Sequence, residues 1–272
     1  MEPVARFDQV TFAYPGGAPV IRDLSFVVQA GEGIALLGHN GAGKTTVTRL
    51  AVALLHPRHG RVEVDGKPTA GRAPEDYAGS VGYLFQHPES QLFERTVEAD
   101  VGFGPRQMGW DEARIRDAVA GVLDRLGLGG EPRVHPYDLP LPRRRLVALA
   151  SALVIEPALL LLDEPTAGLD RASRTIVLRV VAEHRERGGA VLAVTHDLGF
   201  AAEALDRALV LSGGRLLQDA PLGQVLGMYP EVPVPPVVEL GRWLGLTDAG
   251  CRRAAVARAL AQRCRPSGRG LS

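Results

Sequence analysis

The chain opens on a strand-like pattern. Val4, Phe7, Val10 and Phe12 punctuate polar positions, and Tyr14-Pro15-Gly16-Gly17 reads as a turn. A second strand pattern covers Leu24 to Val28, followed by the turn Ala30-Gly31-Glu32-Gly33. The apolar run Ile34 to Leu37 predicts a short buried strand. A helix is predicted after Gly43, with Val47, Leu50, Ala51 and Leu54 on one face. Arg61 to Asp65 and Val81 to Phe85 predict further strands. From about residue 86 to 156 the period becomes helical, with Ile115, Val119, Val122, Leu123 and Leu126 on one stripe. Strand and helix then alternate again: a strand at Leu159 to Leu162, a helix near Arg171 to Arg187 and a strand at Ala190 to Thr195. A hairpin is expected at Leu209 to Leu211 and Arg215 to Gln218, around Ser212-Gly213-Gly214. Pro233, Pro235 and Pro236 mark a linker, after which a helical extension, roughly Val237 to Arg263, leads into a Gly/Ser/Pro tail. The pattern predicts an α/β core with N-terminal antiparallel strands over residues 1–228. A helical subdomain is inserted in that core, and residues 229–272 form a linker, a short helical extension and a tail.

One stretch carries defined chemistry. Gly38-His39-Asn40-Gly41-Ala42-Gly43-Lys44-Thr45 fits the phosphate-binding P-loop and sits between a predicted strand and a predicted helix, the context that motif requires. Glycines let backbone N–H groups turn inward around phosphate oxygens, and the helix N-terminus adds its positive dipole end. Lys44 is expected to reach the β and γ phosphates of ATP, Thr45 to ligate Mg2+, and the adjacent Thr46 to contact phosphate. Leu159 to Leu162 read as a strand buried on both faces, with Asp163 and Glu164 at its C-terminal end, the edge where open α/β sheets bind ligands. Asp163 is expected to hold magnesium, and Glu164 to orient or polarise the attacking water. His196 ends another strand at the same edge and is a candidate γ-phosphate sensor. Gln86, after the strand Val81 to Phe85, is a candidate for touching both magnesium and water. Tyr14 is a candidate for stacking on adenine, with a plain core or surface tyrosine close behind.

Composition narrows the classes. Apolar residues form 46% of the 272, enough for a sizeable core. The 31 Lys plus Arg balance 31 Asp plus Glu, which argues against a general nucleic-acid binder. Lys44 and Lys67 are the two lysines; every other cation is Arg. The two cysteines, Cys251 and Cys264, offer neither a disulfide framework nor metal-ligand spacing, which suits a reducing compartment. MEPVARFDQV has no signal-peptide core. No run approaches the ~18 apolar residues of a membrane span. The expectation is a soluble chain that reaches a membrane only through a partner.

Together these segments resemble the ATP-binding subunits of ABC transporters over about Val4 to Gln218. Gln86 is similar to the Q-loop glutamine. Asp163-Glu164-Pro165-Thr166-Ala167-Gly168-Leu169-Asp170 resembles the Walker B motif running into the D-loop, and Thr195-His196-Asp197 the H-loop. Gln86-His87-Pro88-Glu89-Ser90-Gln91-Leu92-Phe93 and Thr96 to Pro105 are similar to ATPases of energy-coupling factor transporters, the vitamin and metal-ion importers that include the cobalt type. That resemblance implies ATP hydrolysis at the cytoplasmic face of a membrane. It implies three kinds of partner: a second ATP-binding subunit, a membrane-embedded coupling protein and a separate substrate-binding membrane protein.

One motif departs. Where the family has Leu-Ser-Gly-Gly-Gln, this chain has Leu139-Pro140-Leu141-Pro142-Arg143, then Arg144 and Arg145. Pro140 lacks the hydroxyl and the N–H, Pro142 lacks an N–H, and Leu141 is bulky where glycine admits phosphate. Proline nevertheless suits a helix start. Since the family places each ATP between one subunit's P-loop and the other's signature, the departure implies a different partner and two unequal sites. Arg143 to Arg145, near a helix N-terminus where cations are disfavoured, are expected to face an anion or to form a solvated basic turn. Leu92, Phe93, Val97 and Phe103 in the stretch Gln91 to Pro105 are expected to dock a short helix of the membrane protein. A P-loop kinase or GTPase is weighed against by His196 and by the Asp163-Glu164 pair. A non-transport ABC protein is weighed against by the lack of long insertions or tandem halves. A regulatory subunit that binds ATP with little turnover stays open because of the altered signature.

Overall fold

The computed structural model describes residues 2–229, 232–246 and 252–263. Two sheets form the frame. The antiparallel sheet runs β2(Ile21–Val28)–β1(Ala5–Phe12)–β4(His59–Val64)–β5(Lys67–Pro68). The larger sheet runs β10(Arg215–Pro221)–β9(Arg207–Ser212)–β3(Gly33–Leu37)–β8(Ala190–Val194)–β7(Leu159–Asp163)–β6(Val81–Leu84). Its five strands from β9 to β6 are parallel, and β10 returns antiparallel at the edge as the expected hairpin.

The apolar runs at β3, β7, β8 and β9 exist because both faces of this sheet are covered. Alternate residues divide between two cores. Ile34, Leu36, Leu159, Leu161, Leu192, Val194, Leu209 and Leu211 face α1(Lys44–Ala51) and the antiparallel sheet. Ala35, Leu37, Leu160, Leu162, Val191, Ala193, Ala208 and Val210 face the other side. That side is covered by α4(Leu141–Leu153), α5(Arg171–Glu186) and α6(Leu198–Ala204). Each such leucine contributes about 1.5–3 kcal/mol on burial.

Between β6 and β7 lie α2(Val97–Gln107), α3(Glu112–Arg125) and α4, the helical segment expected from the period change. Thr96 caps α2 by accepting from Ala99 N at 3.2 Å, and Asp111 caps α3 by accepting from Arg114 N at 2.9 Å. After the hairpin come α7(Leu222–Val225), α8(Pro236–Trp243) and α9(Arg253–Arg263). No described helix is long and apolar enough to cross a membrane. Cys251, Cys264 and the tail lie outside the described residues.

Three local expectations change. Leu54 lies beyond the end of α1 and is exposed; tight turns, with Ala53 at a φ of +56°, carry it off the buried face. Leu92 and Val97 are buried in the core, because Asp100 accepts from Phe93 N at 3.2 Å and Glu94 N at 3.0 Å and folds this stretch back onto α2. Phe93 remains 62% exposed, with its ring edge-on to Phe103 at 4.8 Å. The basic run following Pro142 is not a solvated turn. Arg143 pairs with Glu131 at 2.8 Å and donates to Gly127 O at 2.7 Å, while Arg144 donates to Leu139 O at 2.8 Å and Tyr137 O at 2.7 Å.

Candidate nucleotide site

Four parallel strands deliver their C-terminal ends to one place. β3 leads to Gly38, β6 to Gln86, β7 to Asp163 and Glu164, and β8 to Thr195 and His196. The crossover after β3 runs out to the edge strand β6, and the chain then works back through β7 and β8 before passing β3 to reach β9. The resulting crevice at the strand ends is where this sheet type binds ligands. A cavity of about 570 Å³ opens there. Its walls include Asn40, Gly41, Gly43, Lys44, Thr45 and Thr46 on one side, and Gln86, Asp163, Glu164 and His196 on others.

The loop's shape depends on glycine. Gly38 has φ +142°, and a Cβ there would collide with the carbonyl oxygen of Leu211. Gly43, at φ +104°, immediately precedes α1, and a Cβ would stand 2.6 Å from Ile21 Cδ1. Lys44 curls back into the loop, donating to Gly38 O at 2.8 Å and His39 O at 3.1 Å. Burial lowers the pKa of this ammonium, with Glu164 and Asp163 opposing the shift. Ala42 is buried, and His39 turns its Nδ1 to Asn40 O at 2.7 Å.

Thr45 Oγ1 lies 3.5 Å from Asp163 Oδ2. Burial and the neighbouring Glu164 raise the Asp163 pKa, against the hydrogen bond from Thr45 and the charge of Lys44. A buried carboxylate beside a hydroxyl is a hard-oxygen donor pair that suits a divalent cation. Among the described residues no group of three or more His, Cys, Asp or Glu could form a cage, so such a cation would be completed by phosphate and water oxygens.

Glu164 adopts φ +52°, its N–H donating to Val194 O at 2.8 Å. Its carboxylate accepts from His196 N at 3.3 Å, and His196 Nε2 stands 3.7 Å from Glu164 Oε1. The next residue, Asp197, anchors this edge. It accepts from Thr166 Oγ1 at 3.0 Å, Arg174 Nε at 3.1 Å and Phe200 N at 2.8 Å. Burial would raise the Asp197 pKa, but these donors outweigh it and hold the carboxylate below its ordinary range. Asp170 caps α5 by accepting from Ser173 N at 2.7 Å.

Gln86 lies on the wall shared with a second cavity of about 520 Å³, lined also by Arg49, Tyr83, Phe85 and Gln91. Gln91 pins the bend after β6, accepting from Phe85 N at 3.1 Å and donating to Tyr83 O at 2.9 Å. Tyr14 stands at the end of β1, edge-on to Phe12 at 5.0 Å and 38% exposed, and is not part of the cavity wall. Leu139 is buried; Pro140 precedes α4 in an extended conformation with ψ 151°, and Leu141 is 44% exposed. The Thr166–Asp197–Arg174 network had no sequence signal, and the expectation that the run Arg143 to Arg145 faces an anion did not say that Arg145 alone would reach the cavity wall. Both depend on side chains meeting across elements remote in the chain.

The family model for "ABC transporter" matches residues 21–167, more than half the chain. This chain belongs to the ABC transporter family as an ATP-binding domain. A protein of Gloeobacter violaceus named as an ABC transporter ATP-binding protein is 39% identical to this ABC ATPase over 80% of its chain and 89% of the relative. The energy-coupling factor transporter ATP-binding protein EcfA2 of Lactobacillus delbrueckii subsp. bulgaricus is 37% identical, over 79% of this chain and 78% of that one. Among solved structures, cbiO1 from Clostridium perfringens, part of the ABC transporter complex cbiONQ, superposes with a TM-score of 0.77. It is 29% identical and covers 90% of this chain and 97% of its own. The mixed α/β architecture expected from the pattern is the ABC ATPase fold.

Proposed function

We propose that this ABC ATPase hydrolyses magnesium-bound ATP to power import of a small substrate, a vitamin or a metal ion, through an energy-coupling factor-type transporter. One observation carries the reading. The glycine-shaped loop holds Lys44 against its own carbonyls, and across the same cavity stands the Asp163-Glu164-His196 cluster. The similarity to EcfA2 and cbiO1 supports the transporter type.

In this reading Lys44 exchanges the carbonyls of Gly38 and His39 for phosphate oxygens, a stronger charge-assisted contact. Gly38 to Thr46 present backbone N–H groups and hydroxyls to the phosphates, and Tyr14 stacks on adenine from beside the cavity. Thr45, Asp163 and Gln86 hold the magnesium, which neutralises charge on the phosphates when bound. Glu164 accepts a proton from the attacking water, and His196, within reach of Glu164, contacts the γ-phosphate. Asp170 belongs to the turn facing a second ATP-binding subunit.

That subunit is a different chain. In the stretch Leu139-Pro140-Leu141-Pro142-Arg143, Pro140 offers neither hydroxyl nor N–H, Pro142 offers no N–H and Leu141 is bulky where glycine would admit phosphate, so it makes a poor contact to a phosphate across the interface. A normal signature on the partner completes this chain's site, and the opposite site turns over slowly. The ATPase pair is held at the cytoplasmic face by a membrane-embedded coupling protein, with a substrate-binding membrane protein alongside. A coupling helix docks where Phe85 and Phe93 leave apolar surface near the second cavity. No nucleic acid takes part.

The test is to purify the chain from membranes with its partners and measure turnover in the assembled complex. ATPase activity that depends on both ATP-binding subunits supports the reading; vigorous activity from this chain alone as a homodimer refutes it. The altered signature favours a second reading, an ATP-binding regulatory subunit with little turnover. In that case Glu164→Gln leaves the activity of the complex unchanged.

A further inference from the structure

Three consecutive arginines follow Pro142, and their side chains separate sharply. Arg143 and Arg144 are satisfied within the helical segment by Glu131 and by main-chain carbonyls. Arg145 instead leaves α4 toward the nucleotide cavity and forms part of its wall together with Glu164 and Ala167. Among the described residues it has no carboxylate partner. Its Nε is buried with no acceptor, and Nη1 reaches Glu164 O at 3.5 Å, beyond a good hydrogen bond. The buried Nε without an acceptor is costly, and the Nη donors stand on the wall of an open cavity where an anion has room to meet them.

The surroundings say where that anion arrives. The Glu164 carbonyl also accepts from Ala167 N at 3.2 Å, so Arg145 lies against the turn that aims the Glu164 carboxylate at His196. Gly168 in the same turn runs beside Leu141 and Arg145: a Cβ there would stand 3.8 Å from Leu141 Cδ2 and 4.0 Å from Arg145 Nε. Lys44, from the glycine loop, lines the same cavity. The cavity therefore carries two cations against Asp163 and Glu164, whose charges a bound magnesium would meet. Arg145 is left for phosphate, and its planar fork suits bidentate contact with phosphate oxygens.

We propose that Arg145 contacts the terminal phosphate of the triphosphate in cis, so that the first turn of α4, at the altered signature, gains a direct tie to the nucleotide only when a γ-phosphate is present. This rests on the nucleotide reading above and adds to it a discriminator between triphosphate and diphosphate on the chain's own helical segment.

Calorimetry on the full chain with magnesium tests it, comparing the β,γ-imido analogue of ATP with ADP. Arg145→Gln should weaken the triphosphate at least about tenfold, the loss expected for a charged hydrogen bond, and leave ADP within about twofold. Arg145→Lys, keeping the charge without the fork, should fall between. Arg144→Gln, whose donors end on main-chain carbonyls, should keep the parental ratio. An unchanged triphosphate-to-diphosphate ratio in Arg145→Gln overturns the proposal. Equal weakening of both nucleotides with a lowered melting temperature also does, since that marks a packing role. If the glutamine variant does not fold, a parental ratio in Arg145→Lys is decisive against it. A parent that binds neither nucleotide overturns the phosphate-loop reading itself, so the two failures are distinct.

Discussion

The nucleotide-facing loop and the segment 139–145 begin helices in the same molecule and have opposite chemistry. Before α1, the chain uses glycines at φ values that exclude side chains, freeing N–H groups to face a ligand. At the start of α4, it uses Pro140 at the cap and Pro142 in the first turn, which lack N–H groups, with the exposed Leu141 between them. Both solutions build a sound helix, so folding does not distinguish them. Surface chemistry does: one start leaves N–H groups open and the other removes them. The contrast teaches that a helix N-terminus binds anions only where its first N–H groups are present and open.

The sharpest way to break this comparison is at the acidic strand end that serves the first region. Glu164→Gln in the assembled complex should cut turnover by about 10²–10⁴-fold with binding intact, the range for removing a general base. Equal turnover would remove Glu164 from the chemistry. Next in size, Lys44→Ala should weaken nucleotide binding by roughly tenfold or more through loss of a charge-assisted contact. Unchanged affinity in calorimetry would show that the loop is not the phosphate cradle.

A third effect acts beneath both regions. His184 on α5 is 6% exposed, and its Nε2 has no partner. Burial holds its pKa below the ordinary histidine value. Because the folded pKa is the lower one, stability from this group is present above the unfolded pKa, about 6.5. It is lost as pH falls from there through the folded value. Denaturant midpoints should drop between about pH 7.5 and 5 more steeply in the parent than in His184→Gln; parallel pH profiles would exclude the effect. The smallest effect belongs to the second region. Replacing Pro140 to Arg143 with Ser-Gly-Gly-Gln should change turnover of the complex by no more than about threefold, whereas disrupting the partner's signature should nearly stop it. A large gain from the replacement would show that the segment limits this chain's own site.

Much of the frame was legible in order along the chain. Runs such as Leu159 to Leu162 are buried on both faces, so their type follows from composition alone. The glycine loop was legible because its shape is local: Gly38 to Thr45 need only the strand before and the helix after. Segments whose fate depends on a remote neighbour were not legible in this way. Leu92 and Val97 read as a docking surface until Asp100 folded the stretch into the core. Leu54 continued a helical stripe that the backbone leaves after Ala51.

The sequence alone determined the two-faced parallel sheet, the phosphate loop, the acids at the end of β7 and the absence of N–H groups at Pro140 and Pro142. Each follows from the residue itself or from neighbours a few positions away. The tertiary structure alone decided which arginine of 143–145 turns toward the nucleotide cavity, that Asp197 is held by Thr166 and Arg174, and that Tyr14 stands outside the cavity wall. Those outcomes depend on long side chains choosing among partners brought together from distant parts of the chain. Hydrophobic period and local motif carry no information about that choice.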